Sequence, residues 1–197
     1  MAIPNEADPT TLFSAWLEEA TNCAALSEPT AMVLSTVDQD GLPDSRVVLF
    51  KGLIDGGFSF FTNLTSAKAR ELSHNPHAAL CFYWMPLDKQ IRIRGHVEPV
   101  SDSEADAYFA QRPKQSQIGA WASRQSMPYS EPLEFERRIA KYGAKYAIGK
   151  VPRPEFWSGF RVVPSHIEFW LKQPYRLHDR LRYTRSDAGW TTERLYP

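Results

Sequence analysis

Strand-length segments rich in β-branched and aromatic residues, parted by short turns, constrain this chain more than any other feature. Ala31 to Val37 is one such segment. Asp38-Gln39-Asp40-Gly41 supplies turn chemistry after it, and Ser45 to Lys51 returns. Gly56-Gly57 turns again into Phe58 to Thr62. Ala78 to Trp84, Gln90 to Val100, Phe160 to Val163, His166 to Leu171, Leu181 to Arg185 and Trp190 to Leu195 read as further strands. Helical signals are fewer. Asp8-Pro9 caps a helix over about residues 8–20, with Leu12, Phe13, Trp16, Leu17 and Ala20 on one stripe. Ser66 caps a short helix to about His74. Ser101-x-x-Glu104 is a capping box that opens a helix to about Gln111, and Pro132 to Lys145 reads as another, so a helical insertion covers about residues 101–146. Strands without regular strand–helix alternation do not make a parallel sheet, which needs a long crossover between successive strands. They predict a mainly β fold with peripheral helices, an antiparallel barrel in one domain spanning residues 1–197.

Within the last third, Arg176-Leu177-His178-Asp179-Arg180-Leu181-Arg182 carries an unusual charge pattern. As extended chain it places Arg176, His178, Arg180 and Arg182 on one face, and Leu177, Leu181 and Tyr183 on the other. At ~4 Å and an effective dielectric of ~20, two unit charges interact by about 4 kcal/mol. Carboxylates of the protein or an anionic ligand must answer that face.

The whole chain offers no global field for such an anion. Its 197 residues hold 23 basic and 23 acidic side chains, so it has no electrostatic footprint for nucleic acid or an acidic membrane, and any anion site is built locally. Cys23 and Cys81 stand alone with no CxxC pair, which points to a reducing compartment rather than a disulfide or zinc scaffold. No apolar run approaches the ~18 residues of a membrane span, and Met1 to Glu6 lacks the pattern of a signal peptide. A cytoplasmic location is expected. His74 and His77 lie across a helix end, so no metal site is expected. GxGxxG, Walker, HExxH and GxSxG motifs are absent.

Candidate anion contacts lie in several places. Arg46 and Lys51 bracket Val47-Val48-Leu49-Phe50, a run apolar on both faces, as in a strand covered on both sides. Either they reach water at the strand ends or they meet an anion. Their odd spacing aims them to opposite faces of an ideal strand, so one shared ligand requires a bulge or a ligand lying across the strand ends. Lys68 opposes the dipole of the helix that Ser66 caps, unless an anion binds at that helix start. Tyr108, Arg112 and Ser116 flank Pro113, a corner suited to a phosphate, although Arg112 also suits a helix C-terminus. Gln90 opens a strand and suits the polar edge of a ring. Trp170 suits a flat ligand or a core.

Most of these residues fall into an ordered set of motifs: Arg46-Val47-Val48-Leu49-Phe50-Lys51; Phe61-Thr62-Asn63 with Ser66-Ala67-Lys68; Asn75-Pro76-x-Ala78-Ala79-Leu80; Arg112-Pro113-x-x-Ser116-Gln117-Ile118-Gly119-Ala120-Trp121; Gln125-Ser126; Pro152-Arg153-Pro154; Ile167-Glu168-Phe169-Trp170; and Arg176-Leu177-His178-Asp179-Arg180. In this order and spacing, from about Asp8 to Pro197, the chain resembles the pyridoxine/pyridoxamine 5′-phosphate oxidase family. The resemblance implies a split β-barrel homodimer with FMN at the dimer interface. It implies that Arg46, Val47, Val48, Leu49, Phe50, Lys51, Phe61, Thr62, Lys68, Gln90, Gln125, Ser126, Trp170 and Arg180 hold the flavin and its phosphate. The substrate phosphate would meet Lys51, Tyr108, Arg112 and Ser116, and Arg176 and His178 would lie over the pyridine ring as the catalytic pair. The implied reaction converts pyridoxine or pyridoxamine 5′-phosphate to pyridoxal 5′-phosphate. O2 is the acceptor and H2O2 the product. Two rivals are a sister flavin oxidase on a phenazine-type substrate, against which the phosphate corner speaks, and a non-catalytic flavin- or vitamer-binding protein. Three departures stand out. Ala67 occupies a position where many members carry a second basic residue for the FMN phosphate, Leu171-Lys172 replaces a frequent Gln-Gly, and the longer N-terminal arm of some members is not seen.

Overall fold

The computed structural model describes residues 2–197. In chain order the elements are α1 (Pro9–Asn22), β1 (Ala31–Val37), β2 (Pro43–Leu49), β3 (Leu53–Ile54), β4 (Gly57–Asn63), α2 (Ala67–His74), β5 (His77–Trp84), β6 (Lys89–Pro99), α3 (Asp102–Gln111), α4 (Lys114–Ala122), α5 (Glu134–Lys145), β7 (Trp157–Leu171), β8 (Asp179–Ser186) and β9 (Gly189–Arg194). All pairings are antiparallel, in the order β2-β1-β5-β6-β7-β4-β3, with β8 and β9 branching from β7.

The branch comes from one long strand. β7 pairs with β6 over most of its length. Its first half, Trp157 to Val162, pairs with β4, and its second half, His166 to Leu171, pairs with β8. The sequence pattern divides β7 into two strands because the ladder is interrupted there: the register with β6 shifts between Arg94 and Gly95. Gly95 permits the bulge, since a Cβ on it would lie 1.9 Å from the Val163 carbonyl oxygen. The sheet curls until β2 touches β4. Just beyond β2, the Lys51 N–H donates to the Ser59 carbonyl at 2.9 Å, and the Ser59 N–H donates to the Gly52 carbonyl at 3.0 Å.

The barrel interior is aromatic. Phe13 of α1 meets Phe50, Phe58 and Phe82 edge to face, with centroids 4.8–5.3 Å apart. The stripe expected on α1 is the one that packs: Leu12, Phe13, Trp16 and Ala20 are buried and Leu17 lies against the core. Asp8 caps α1, and Ser101 with Glu104 forms the expected capping box of α3. A second cluster, Phe109, Ile118, Tyr146, Val151 and Trp157, holds α3, α4 and α5 against the start of β7.

Three expectations need correction. The sequence pattern ends one helix near Gln111 and opens the next at Pro132, but a further helix, α4, follows Pro113 directly. Its Gly119 and weak amphipathic pattern hide it in the sequence. Second, within a single chain the Val47-Val48-Leu49-Phe50 segment is covered on one face only. Val47 is 65% exposed, while Val48 packs against the core. Third, Arg176 does not continue the β8 face. Tyr175 and Arg176 are both left-handed, at φ 57° and 61°, and Leu177 is exposed. The alternation holds only from Asp179, where Leu181 and Tyr183 are buried.

Candidate active site

The barrel opens beside α2–α4 into a cavity of about 860 Å³. Its lining brings together Arg46, Val47, Val48, Leu49 and Lys51, then Phe61, Thr62 and Lys68, then Tyr108, Arg112 and Ser116, and finally Gln125 and Ser126. Arg46 and Lys51 share it despite their odd spacing. β2 stops at Leu49, so Lys51 lies beyond the regular strand and its alternation. Phe50 does not join them, since its ring is buried against Phe13.

One wall is a stack of rings. Phe61 of β4 lies 4.1 Å from Tyr108 of α3, with 17° between planes, and 5.5 Å from Trp157 of β7. Gly159 permits this packing. A Cβ there would lie 2.6 Å from the Phe61 ring. Arg112, at the C-terminal end of α3, lies 4.8 Å over the Trp157 ring. Its Nη1 is buried and has no hydrogen-bond partner among the described residues. Burial pushes its pKa down, against the pull of Tyr108. A desolvated guanidinium nitrogen without a partner is costly and calls for an acceptor.

The other cationic end surrounds the start of α2. Lys68 is buried, and its ammonium donates to Thr62 Oγ1 at 3.4 Å. Burial first, and then the charge of Arg46, push its pKa down, while Glu71 and Asp44 oppose. The Ser66 side chain makes no cap bond, and the Ala67 N–H donates instead to Ser126 Oγ at 3.2 Å. Gln125 Oε1 accepts from Thr62 Oγ1 and from the Asn63 N–H, both at 3.2 Å. A helix start with a buried ammonium is an anion cradle.

Gln90, Trp170, Arg176, His178 and Arg180 do not line this cavity. Gln90 pairs with Trp170, and Trp170 with Arg180, in one row across β6, β7 and β8. The His178 ring lies 4.5 Å from that of Trp170. The protein's own carboxylates answer much of the basic stripe. Glu168 takes Arg180 at 2.7 Å, and Glu193 takes Arg182 at 2.8 Å. Arg176 has no ion pair among the described residues. Sequence reasoning also missed Asp44, Asn63, Gly119, Ala120, Ser123, Phe135 and Trp157 in the cavity wall. Asn63, Gly119 and Ala120 lie inside the quoted motifs and the aromatic character of Trp157 and Phe135 is a weak signal, while Asp44 and Ser123 offer none.

Residues 18–146 match the family model described as pyridoxamine 5′-phosphate oxidase, and residues 157–197 match the pyridoxine 5′-phosphate oxidase C-terminal dimerisation region. The chain belongs to the pyridoxamine 5′-phosphate oxidase family. A pyridoxine/pyridoxamine 5′-phosphate oxidase of Nitrobacter winogradskyi is 57% identical over 192 residues, covering 96% of this chain and 90% of that protein. One from Rhodospirillum rubrum is 54% identical over 202 residues, covering all of both. Among solved structures, PhzG from Burkholderia lata 383, in complex with tetrahydrophenazine-1-carboxylic acid, superposes with a TM-score of 0.91 at 35% identity, covering 98% of this chain and 94% of that one. An FMN-binding protein from Nostoc punctiforme related to pyridoxamine 5′-phosphate oxidase shares the fold, with a TM-score of 0.79 at 18% identity, covering 98% and 99%. Within this oxidase-family chain, the first matched region holds both cationic ends of the cavity, and the second holds Trp170, Arg176, His178 and Arg180. No helix among the described residues is long and apolar enough to cross a membrane.

Proposed function

We propose that the chain is an FMN-dependent oxidase that converts pyridoxine or pyridoxamine 5′-phosphate to pyridoxal 5′-phosphate. The observation that carries this is Arg112: a half-buried guanidinium with no ion pair among the described residues, lining the cavity with Tyr108, Ser116 and Lys51. That corner suits a phosphate monoester. The second cationic end, Lys68 with Arg46, Thr62, Gln125, Ser126 and the start of α2, suits the phosphate of a flavin mononucleotide. The chain thus has a place for each of two phosphates.

When bound, FMN would supply acceptance of a hydride from the substrate carbon and return of the electrons to O2, which leaves as H2O2; on the amine substrate, water then enters and ammonia leaves to give the aldehyde. The chain's own residues bind and orient. Arg112 and Lys51 hold the substrate phosphate, and the Phe61–Tyr108–Trp157 stack walls the cavity from water. Arg176 and His178 orient the pyridine ring and stabilise charge during transfer, as near-attack geometry and fixed donors do elsewhere.

Those two residues come from a second copy of the chain. The row Gln90–Trp170–Arg180 lies apart from the cavity residues, and its Trp170 and Arg180 fall in the part of the chain that matches the dimerisation region. Exposed Val33, Val47, Leu49 and Tyr83 provide an apolar surface for a partner. In this homodimer each FMN lies at the interface.

The test is spectroscopic. Purified protein should carry flavin absorbance that bleaches on anaerobic addition of pyridoxine 5′-phosphate and returns with air as peroxide is released. Bleaching by a tetrahydrophenazine carboxylate but not by the phosphorylated vitamer would favour the PhzG-like reading. Flavin that binds but never bleaches would make it a binding protein.

A further inference from the structure

The cationic cradle at α2 neutralises itself. Arg46 is held on three sides: Thr36 accepts from its Nη1, and the carboxylates of Asp44 and Glu71 accept from its Nη2, Glu71 at 2.9 Å. Thr36 donates in turn to Glu71, which ties the three groups into one network. Glu71 is largely buried, its side chain 12% exposed, whereas that of Asp44 is 60% exposed. Glu71 stands three residues after Lys68 on α2, a spacing that puts both on one face of the helix. Two cations and two carboxylates therefore leave the cradle without formal charge. Ala67, at the first position of α2, adds none. Lys68 keeps only a hydroxyl as its hydrogen-bond partner among the described residues, so it is the cation free for a ligand.

We propose that Glu71 sets how strongly this site prefers phosphorylated over unphosphorylated flavin, by compensating Arg46 and repelling the phosphate dianion. The proposal rests on the flavin reading given above. A buried carboxylate close to an anion site is screened less by water and salt than one on the surface. The protein keeps Arg46 ordered through Glu71 at the expense of phosphate affinity. The cradle then discriminates FMN from riboflavin less sharply than its two cations would alone.

The experiment titrates flavin-free protein with FMN and with riboflavin, reading the quenching of flavin fluorescence. Glu71→Gln keeps an oxygen for Thr36 and Arg46 and removes the charge. Its Kd for FMN should fall about tenfold, while that for riboflavin stays within about twofold, and the gain should shrink as salt rises. Equal changes for both flavins, unchanged FMN affinity or weaker FMN binding would overturn the proposal. Asp44→Asn provides the same test at an exposed position, with a smaller FMN-only gain expected, and decides the matter if Glu71→Gln folds poorly. Wild-type protein that binds neither flavin would instead remove the flavin reading itself.

Discussion

The Arg112 guanidinium lies over Trp157, 4.8 Å from the ring centroid, and its buried Nη1 has no partner among the described residues. The aromatic face holds the cation in place, and the guanidinium lines the cavity without a carboxylate partner among the described residues. Replacing Arg112 by Ala should raise KM for phosphorylated substrate about ten- to a hundredfold, the worth of a charge-assisted bond of roughly 1.5–3 kcal/mol. Bound flavin should be unchanged. Steady-state kinetics with flavin content measured alongside check both halves. An unaltered KM, or loss of flavin, would move Arg112 out of the substrate site.

Gly159 faces the Phe61 ring so closely that any Cβ must displace it. Gly159→Ala should therefore disturb the Phe61–Tyr108 stack, cost about 1–3 kcal/mol as overpacking does, and lower kcat/KM. Gly143→Ala makes the control. It lies within α5 with open space around it, and should stabilise by about 0.5–1 kcal/mol through helix propensity alone. Thermal melts of the two variants should move in opposite directions.

Lys68 is tuned for a ligand at the expense of the empty fold. Its pKa lies below the ordinary lysine value of 10.5 because burial disfavours the ammonium. Between the lowered value and 10.5 the folded protein binds fewer protons than the unfolded chain, so this group's contribution to stability improves as pH rises through that window. Lys68→Met, of similar length but uncharged, should raise the Tm of flavin-free protein at neutral pH. Each 1 kcal/mol relieved corresponds to about 2–4 °C. The same variant should bind FMN more weakly. A variant that melts lower and binds FMN normally would show that Lys68 serves the fold instead.

Arg176 and Arg180 should separate cleanly. Arg180 is anchored by Glu168 and by the Tyr196 carbonyl at 2.8 Å, whereas Arg176 sits at a left-handed position with no ion pair among the described residues. Arg176→Ala should lower kcat/KM about a hundredfold and leave flavin bound. Arg180→Ala should release flavin first, because it also leaves Glu168 with only the looser contact to Arg92, at 3.5 Å. Anaerobic flavin reduction and flavin content, measured for both, would refute the division if the two variants behave alike.

Local chemistry determined much of this protein within the sequence itself. Period-two patterning marked the strands that flank short turns, and Asp8 and the Ser101–Glu104 box marked helix starts, because those signals act within a few residues. Ordered motifs marked Lys51, Lys68, Arg112 and Ser116, and the helix end before Pro113 added Tyr108; the fold gathers all five around one cavity. Tertiary structure alone decided what lies between distant positions. The end of β2 at Leu49 puts Lys51 in one cavity with Arg46, and the core claims Phe50. Two left-handed residues take Arg176 off the strand face. Glu168, Glu193 and Glu71 decide which cations are already answered. No pattern in one segment encodes these outcomes, since a charge is free or paired according to what the rest of the chain packs against it.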